Sequence, residues 1–187
     1  VAARRRAAGG RGGRGGRPLP PRAGASAVFP VRVGGFRRSQ VYRYDRDGKD
    51  VSAAYELATP RGRLLITVYI YPAASAAAES RARLCDSEFA AVNSAITNQH
   101  GNAAPAERGA ALPVDGVETK LGHRSAYRFS SRFDDEVQAL RSEAHLYCYV
   151  GGDWLVKYRV TAPVAVETLG PVADFIRDGP WPGRSST

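Results

Sequence analysis

The chain has 187 residues, 27 of them Lys or Arg against 18 Asp or Glu, for a formal net charge of +9 and a pI near 10.0. All ten basic residues of positions 1–39 stand without an acidic neighbour, so positions 40–187 hold 17 basic against 18 acidic residues and are close to neutral. That division removes the electrostatic case for a nucleic-acid-binding body. Two cysteines are too few for a disulfide scaffold, and the best apolar run, 64–71, is far short of the roughly 20 residues of a membrane helix, so no membrane span is expected.

Residues 1–27 are built from Arg, Gly, Ala and Pro, with Leu19 the only large aliphatic side chain past the start. Such a segment buries too little apolar surface to offset the entropy of ordering, and a disordered arm is expected. Gly9-Gly10-Arg11-Gly12-Gly13-Arg14-Gly15-Gly16-Arg17 is similar to the RGG tracts of RNA-binding proteins, where guanidinium groups pair with phosphates and stack on bases. Arg4, Arg5, Arg6, Arg11, Arg14 and Arg17 are the candidate phosphate contacts, and nucleic acid is a partner only through this arm. The interleaved Phe or Tyr that would supply stacking platforms is missing, and these residue types are also those of GC-rich codons, so a tail without function is the heavier expectation. A chain opening on Val with no Met is expected to be a fragment or to carry a read-through of upstream sequence. No apolar stretch of about 7–15 residues follows Arg4-Arg5-Arg6, so the arm is not a secretory signal, and export would require one upstream.

Residues 28–182 have the size of one domain, able to bury about two thirds of its unfolded surface; 183–187 read as a frayed tail. Gln40 to Asp45 and Lys49 to Ala58 alternate, with Val51, Ala53, Tyr55 and Leu57 on one side, and Asp47-Gly48 suits a tight hairpin between them. Leu64 to Tyr71 puts Leu64, Ile66, Val68 and Ile70 on one face and Leu65, Thr67, Tyr69 and Tyr71 on the other. Both faces are apolar or aromatic, as in a central strand covered on both sides, and Pro72 ends it. Ser75 is the expected cap of a helix over 76–98 whose stripe is Cys85, Phe89, Val92 and Ile96. A long surface connection then reaches Pro113.

The period returns to two in His123 to Arg132 and Glu136 to Val150. A closing hairpin with Gly151-Gly152-Asp153 as its loop sets Val150 against Trp154, Cys148 against Val156 and Leu146 against Tyr158. The opposite surface then carries Tyr147, Tyr149, Lys157 and Arg159. After Pro163, suited to a first turn, Leu169, Val172 and Ile176 repeat at helical spacing, with Gly170-Pro171 kinking or restarting the helix and Trp181 docking the C-terminus. The order β-β-β-α-β-β-β-β-α, with hairpins between most neighbouring strands, predicts an α+β fold with helices packed on a largely antiparallel sheet.

This layout, with a helix after the third strand and a final Trp-Leu-Val-Lys-Tyr-Arg strand (Trp154 to Arg159) leading into a C-terminal helix, resembles the Mog1/PsbP-like group over residues 28 to 182. The resemblance implies an accessory or binding protein of envelopes, photosynthetic membranes or transport machinery, and brings no catalytic residues with it.

Residue chemistry points the same way. Serine-nucleophile, P-loop, zinc-protease and dinucleotide signatures are absent, and neither cofactor nor metal is expected. His145 and Cys148 are an odd number apart and point to opposite faces of an unbulged strand, so they cannot share a metal. His100, His123 and His145 read as hydrogen-bonded surface residues. Asp45 to Asp50 resembles a calcium loop only in its alternating carboxylates: its Gly falls at the fourth position and no Glu follows at the twelfth, so a solvated turn is expected. An enzyme would need a cleft gathering several of Asp134, Asp135, Glu136, His123 and His145. Cys85 and Cys148 form one bridge in an exporting context or two buried thiols in a reducing one; the thiols are favoured.

What remains is a possible ligand surface of Tyr147, Tyr149, Lys157 and Arg159, extended by Tyr69 and Tyr71, whose rings and cations suit bases and phosphates. The competing expectation, given more weight, is that the second helix covers these rings and leaves the Lys and Arg stems to reach its edge. Three functions follow in order: a non-catalytic binding or accessory domain using a groove between sheet and helix for an unknown protein or small ligand; a nucleic-acid-associated protein acting through its arm; and an enzyme with an unrecognised site.

Overall fold

The computed structural model describes residues 29–117 and 121–182. The arm, its six candidate arginines and the tail 183–187 lie outside the described residues.

Ten elements follow one another: β1 (Arg32–Val33), β2 (Phe36–Arg43), β3 (Val51–Thr59), β4 (Gly62–Pro72), α1 (Ala78–Gln99), β5 (Ala104–Ala110), β6 (Leu121–Phe133), β7 (Glu136–Val150), β8 (Trp154–Pro163) and α2 (Leu169–Asp178). The strands form one antiparallel sheet in the order β1-β2-β3-β4-β8-β7-β6-β5. The α+β class and the large antiparallel sheet are as expected. The expected order placed three strands before the first helix and four after it; the structure has four on each side, and two of its strands fall outside the residue ranges expected. β1 is a two-residue pairing, and β5 occupies part of the expected surface connection. All seven β5 residues are exposed, so it pairs with β6 through its main chain without an apolar period, and Pro105 and Gly109 suit its edge position.

β4 lies between β3 and β8 and buries Leu64, Ile66, Val68 and Ile70 at 0–1% exposure, while Leu65, Thr67, Tyr69 and Tyr71 are half-buried. The two helices take opposite faces over different halves of the sheet. α2 covers the face of Ile66, Val68 and Tyr158, with the Phe175 ring 4.9 Å from both Phe36 and Tyr55. Trp181 docks there as expected: its Nε1 donates to the Ile176 carbonyl at 2.8 Å, and its ring lies 5.0 Å from Tyr147. The helix begins later than Pro163, which instead ends β8 paired with Leu140. Gly170-Pro171 therefore falls in the first turn, where a missing N–H costs no helical bond.

α1 covers β6 and β7 from the other side with Cys85, Val92, Asn93 and Ile96. Ala77, without a side-chain hydrogen bond, occupies the cap position expected of Ser75. Cys85 and Cys148 are disulfide-bonded, with Cα atoms 5.9 Å apart and both residues about 1% exposed, which corrects the buried-thiol expectation. Asn93 fixes the other end of the helix, accepting from Ser125 Oγ at 2.6 Å and Tyr127 Oη at 3.0 Å.

The closing hairpin departs from its expected register. A bulge at Tyr149, whose φ is 57°, pairs Cys148 with Leu155, Tyr147 with Val156 and Leu146 with Lys157. A one-residue slip exchanges the faces of a strand. Tyr147 thus joins Val156 and Tyr158 beneath α2, whereas Cys148 and Tyr149, consecutive in sequence, both face α1.

Candidate functional site

The register across the sheet builds two adjacent rows on the α1 face. One runs Tyr42, Ser52, Tyr69, Lys157, Leu146; the next runs Gln40, Ala54, Thr67, Arg159, Ala144. Leu146 and Ala144 are completely buried, beside Cys85 and beside Val92 and Ile96 respectively. The helix therefore closes the β7 end of each row. Lys157 and Arg159 stand at its edge; beyond them Thr67 and Tyr69 on β4 and Ala54 on β3 are half-buried, while Ser52 on β3 is completely buried.

Side-chain contacts give this face its shape. Lys157 Nζ sits 4.3 Å from the centroid of the Tyr69 ring and 5.6 Å from that of Tyr71. Tyr71 Oη donates to Glu88 Oε1 of α1 at 2.8 Å, tying strand to helix. At the far end the rings of Tyr42 and Tyr44 stack at 6.4 Å, both about half exposed, and Tyr44 Oη lies 2.9 Å from Ser52 Oγ. We call this stretch of the α1 face, between α1 and the β2 tyrosines, the trough.

Its electrostatics are unusual for this chain. Among the described residues no carboxylate lies within 4.0 Å of Lys157 or Arg159. Both are set deeply enough among neighbouring atoms that burial dominates their titration. Burial, with Arg159 alongside, pulls Lys157 down to about 8, while Glu88 and Asp50 act weakly in the opposite sense. Burial also lowers Arg159, and its Nε is sealed from solvent with no acceptor. The Tyr69 and Tyr71 hydroxyls are pushed up, chiefly by burial.

Of the six surface residues expected together, Tyr69, Tyr71, Lys157 and Arg159 converge here. Tyr149 closes the end near the start of α1, under the Arg81 guanidinium at 4.8 Å, with its Oη donating to the Ala74 carbonyl at 3.3 Å. Tyr147 is a correction: the bulge turns it beneath α2, where its Oη donates to the Leu112 carbonyl at 2.9 Å. The expectation that the second helix covers all these rings is likewise corrected, since α2 lies on the opposite face.

Sequence reasoning missed a second charged cluster. Glu143, 2% exposed, accepts from Arg141 Nε at 2.7 Å and Arg124 at 3.2 Å, and Glu107 bridges the same two arginines at 3.0 and 3.1 Å. Thr168 Oγ1 adds a bond to Glu143 at 2.9 Å, and His145 Nε2 lies 3.3 Å away. These partners outweigh burial and hold the Glu143 carboxyl far below its ordinary range. The signal was the cross-strand neighbourhood of Arg124 and Glu143, legible only once β5 brings Glu107 alongside. His145 is thus a buried residue, correcting the surface reading.

The carboxylates and histidines that an enzyme cleft would need stay apart. Asp134 and Asp135 form the β6–β7 turn with φ of 52° and 66°, and Asp134 pairs with Arg63. His123 lies eleven residues before Asp134, roughly 35 Å away at strand rise, stacked 4.9 Å from Phe89 and 3.0 Å from Asp86. His145 faces the other side, and His100 stacks 3.8 Å from Phe129. A hollow of about 720 Å³ lies along the far flank of α1, lined by Phe89, Asn93, Arg108, His123 and Tyr127, and another of about 560 Å³ lies beside Arg128 and Phe129. Neither includes the Lys157 trough. Asp45 accepts from the Lys49 N–H at 2.9 Å as part of the expected hairpin turn. No group of three or more His, Cys, Asp or Glu placed to hold a metal occurs among the described residues, and no helix among them is long and apolar enough to cross a membrane.

No protein-family model matches the chain, and no curated protein is similar to it at a significant level.

Proposed function

We propose that this chain is a non-catalytic binding or accessory domain, of the kind its Mog1/PsbP-like layout implies, and that it engages a ligand in the trough between α1 and the β2–β4 half of the sheet. One observation carries the reading: Lys157 sits half-buried over the Tyr69 and Tyr71 rings with Arg159 in the next row, and neither cation has a carboxylate within 4.0 Å among the described residues. A sheet that only needed to fold would gain by placing apolar residues there, because desolvating an unpaired cation costs free energy. Retaining two such cations side by side is what a ligand surface requires. The sealed Cys85–Cys148 bond supports a working life in an oxidising setting, since such bonds persist outside a reducing cytosol, and it holds the wall of the trough in place.

The test is a fragment screen by two-dimensional NMR on the oxidised, isotope-labelled full chain. Shift changes that cluster on Thr67, Tyr69, Tyr71, Glu88, Lys157 and Arg159 are expected. Clustering around Asp86, Asn93 and His123 on the far flank of α1 would relocate the site and defeat this reading.

A further inference from the structure

Resting on that reading of the trough as a binding face, we infer that Lys157 and Arg159 form an oxyanion subsite that takes the phosphate group of a small molecule. Neighbouring rows on one face of a strand are about 7 Å apart, so the two cations reach a single tetrahedral anion from the same side. The ammonium acts as a movable point charge and the guanidinium as a planar fork.

The contrast with Arg124 and Arg141 points to an anionic ligand. Arg124 and Arg141, whose side chains are 20% and 17% exposed, each hold two carboxylate contacts, shared between Glu107 and Glu143. Exposed Arg63 has Asp134 and Glu56. Among the described residues Lys157 has the Tyr69 and Tyr71 rings but no carboxylate partner, and Arg159 has no carboxylate partner either; its sealed Nε lacks an acceptor, as does that of Arg124, whose other guanidinium nitrogens are paired, a costly arrangement for Arg159.

Charge selects among the anions that would fit. A phosphate dianion balances a pair carrying two positive charges, whereas a carboxylate balances half of it. The groups facing the pair from other elements limit the ligand's size. Glu88 on α1 and Asp50 at the β2–β3 turn act on Lys157, and His100 beyond the end of α1 lies within the field of Arg159. Glu88 is engaged with Tyr71. With Asp50 and a nearly neutral body, it opposes a long polyanion lying along the trough. The stacked Tyr42 and Tyr44 rings, beyond Tyr69, offer a platform for a planar group attached to that phosphate.

The experiment uses the oxidised full chain at constant ionic strength, reading the Lys157 side-chain and Arg159 Nε–H resonances. Inorganic phosphate, adenosine monophosphate, acetate and a single-stranded oligonucleotide are titrated separately. Saturable shifts with inorganic phosphate alone assign the site to free phosphate; at least tenfold tighter binding of the monophosphate, with added shifts at Tyr42 and Tyr44, assigns it to a phosphate ester. Either binding is expected to weaken at least tenfold in both Lys157→Met and Arg159→Met, with Arg132→Gln unchanged, and in the wild type to weaken between pH 7 and 9.5 as Lys157 loses its proton. The charge-removing substitutions relieve desolvation, so loss of fold does not confound them, and circular dichroism verifies this. Equal, unsaturated responses to phosphate and acetate, or an oligonucleotide binding more tightly than the mononucleotide in a way that survives both substitutions, would overturn the inference. If fragments bind the trough while no phosphate does, the subsite fails and the binding face stands; if neither binds, both fail.

Discussion

Replacing both cysteines with Ala frees α1 from β7, and the size of the effect follows from chain connectivity. The bond joins positions 63 apart in sequence, so its loss returns to the unfolded chain a loop-closure entropy worth about 4 kcal/mol at 25 °C. Natural domains have about 5–15 kcal/mol in total, making this a large fraction. With a urea slope of about 2 kcal/mol/M for a domain of this size, the midpoint of Cys85→Ala/Cys148→Ala falls by about 2 M relative to the oxidised wild type. The loss is not uniform along the helix. Val92, Ile96 and Asn93, with its bonds to Ser125 and Tyr127, still hold the C-terminal half. The N-terminal half keeps the Glu88–Tyr71 bond, the Arg81–Tyr149 contact, the surface Asp86–His123 contact and half-buried Phe89 stacked on His123. Native-state hydrogen exchange is therefore expected to show protection lost from Ala78 to about Phe89 and retained beyond Val92. A midpoint change under 0.5 M (about 1 kcal/mol at that slope), or uniform protection across α1, would refute the reasoning.

Three further outcomes follow from the same contacts. Lys157→Met stabilises the fold at pH 7: the fall from 10.5 to about 8 corresponds to about 3 kcal/mol, of which the ring contact with Tyr69 gives back about 1, leaving about 2 kcal/mol in urea unfolding. Because the folded chain releases this proton before the unfolded one does, the variant's advantage shrinks as pH rises from about 8 towards 10.5; an advantage that grows with pH would contradict the assignment. Glu143→Gln breaks the buried carboxylate's pairing with two arginines and costs about 3–5 kcal/mol at neutral pH. Since the folded carboxyl is held below its ordinary 4.5, its stabilisation is full above that value and lost on acidification, so the wild type shows a steeper acid dependence than the variant. Gly179→Ala places a Cβ 2.6 Å from the Phe175 carbonyl, and a melting-temperature drop equivalent to about 1–3 kcal/mol is expected, with loosened Trp181 fluorescence.

How far the sequence carried the fold depends on what each element is made of. β4 was readable because its alternation is paid for by burial on one face and half-burial on the other. β5 was not, because a strand of Ala, Pro, Glu, Arg and Gly with every residue exposed has no apolar period and exists through main-chain pairing with β6. The closing hairpin was recognised but misregistered: its glycine-rich loop is visible in the sequence, whereas a bulge at a tyrosine with positive φ leaves no compositional mark. That bulge sent Tyr147 to the other face, while the regular β4–β8 register keeps Lys157 and Arg159 with Tyr69 and Tyr71. The bond between Cys85 and Cys148 was open at the sequence level because connectivity depends on how α1 lies against β7.

The most direct measurement is a pH titration of the Lys157 side chain by NMR in phosphate-free buffer. A midpoint near 8, rising when inorganic phosphate is added, is the result predicted for a desolvated cation that binds phosphate. A midpoint at the ordinary 10.5, indifferent to phosphate, would mean that the trough holds a solvated lysine and would contradict the account.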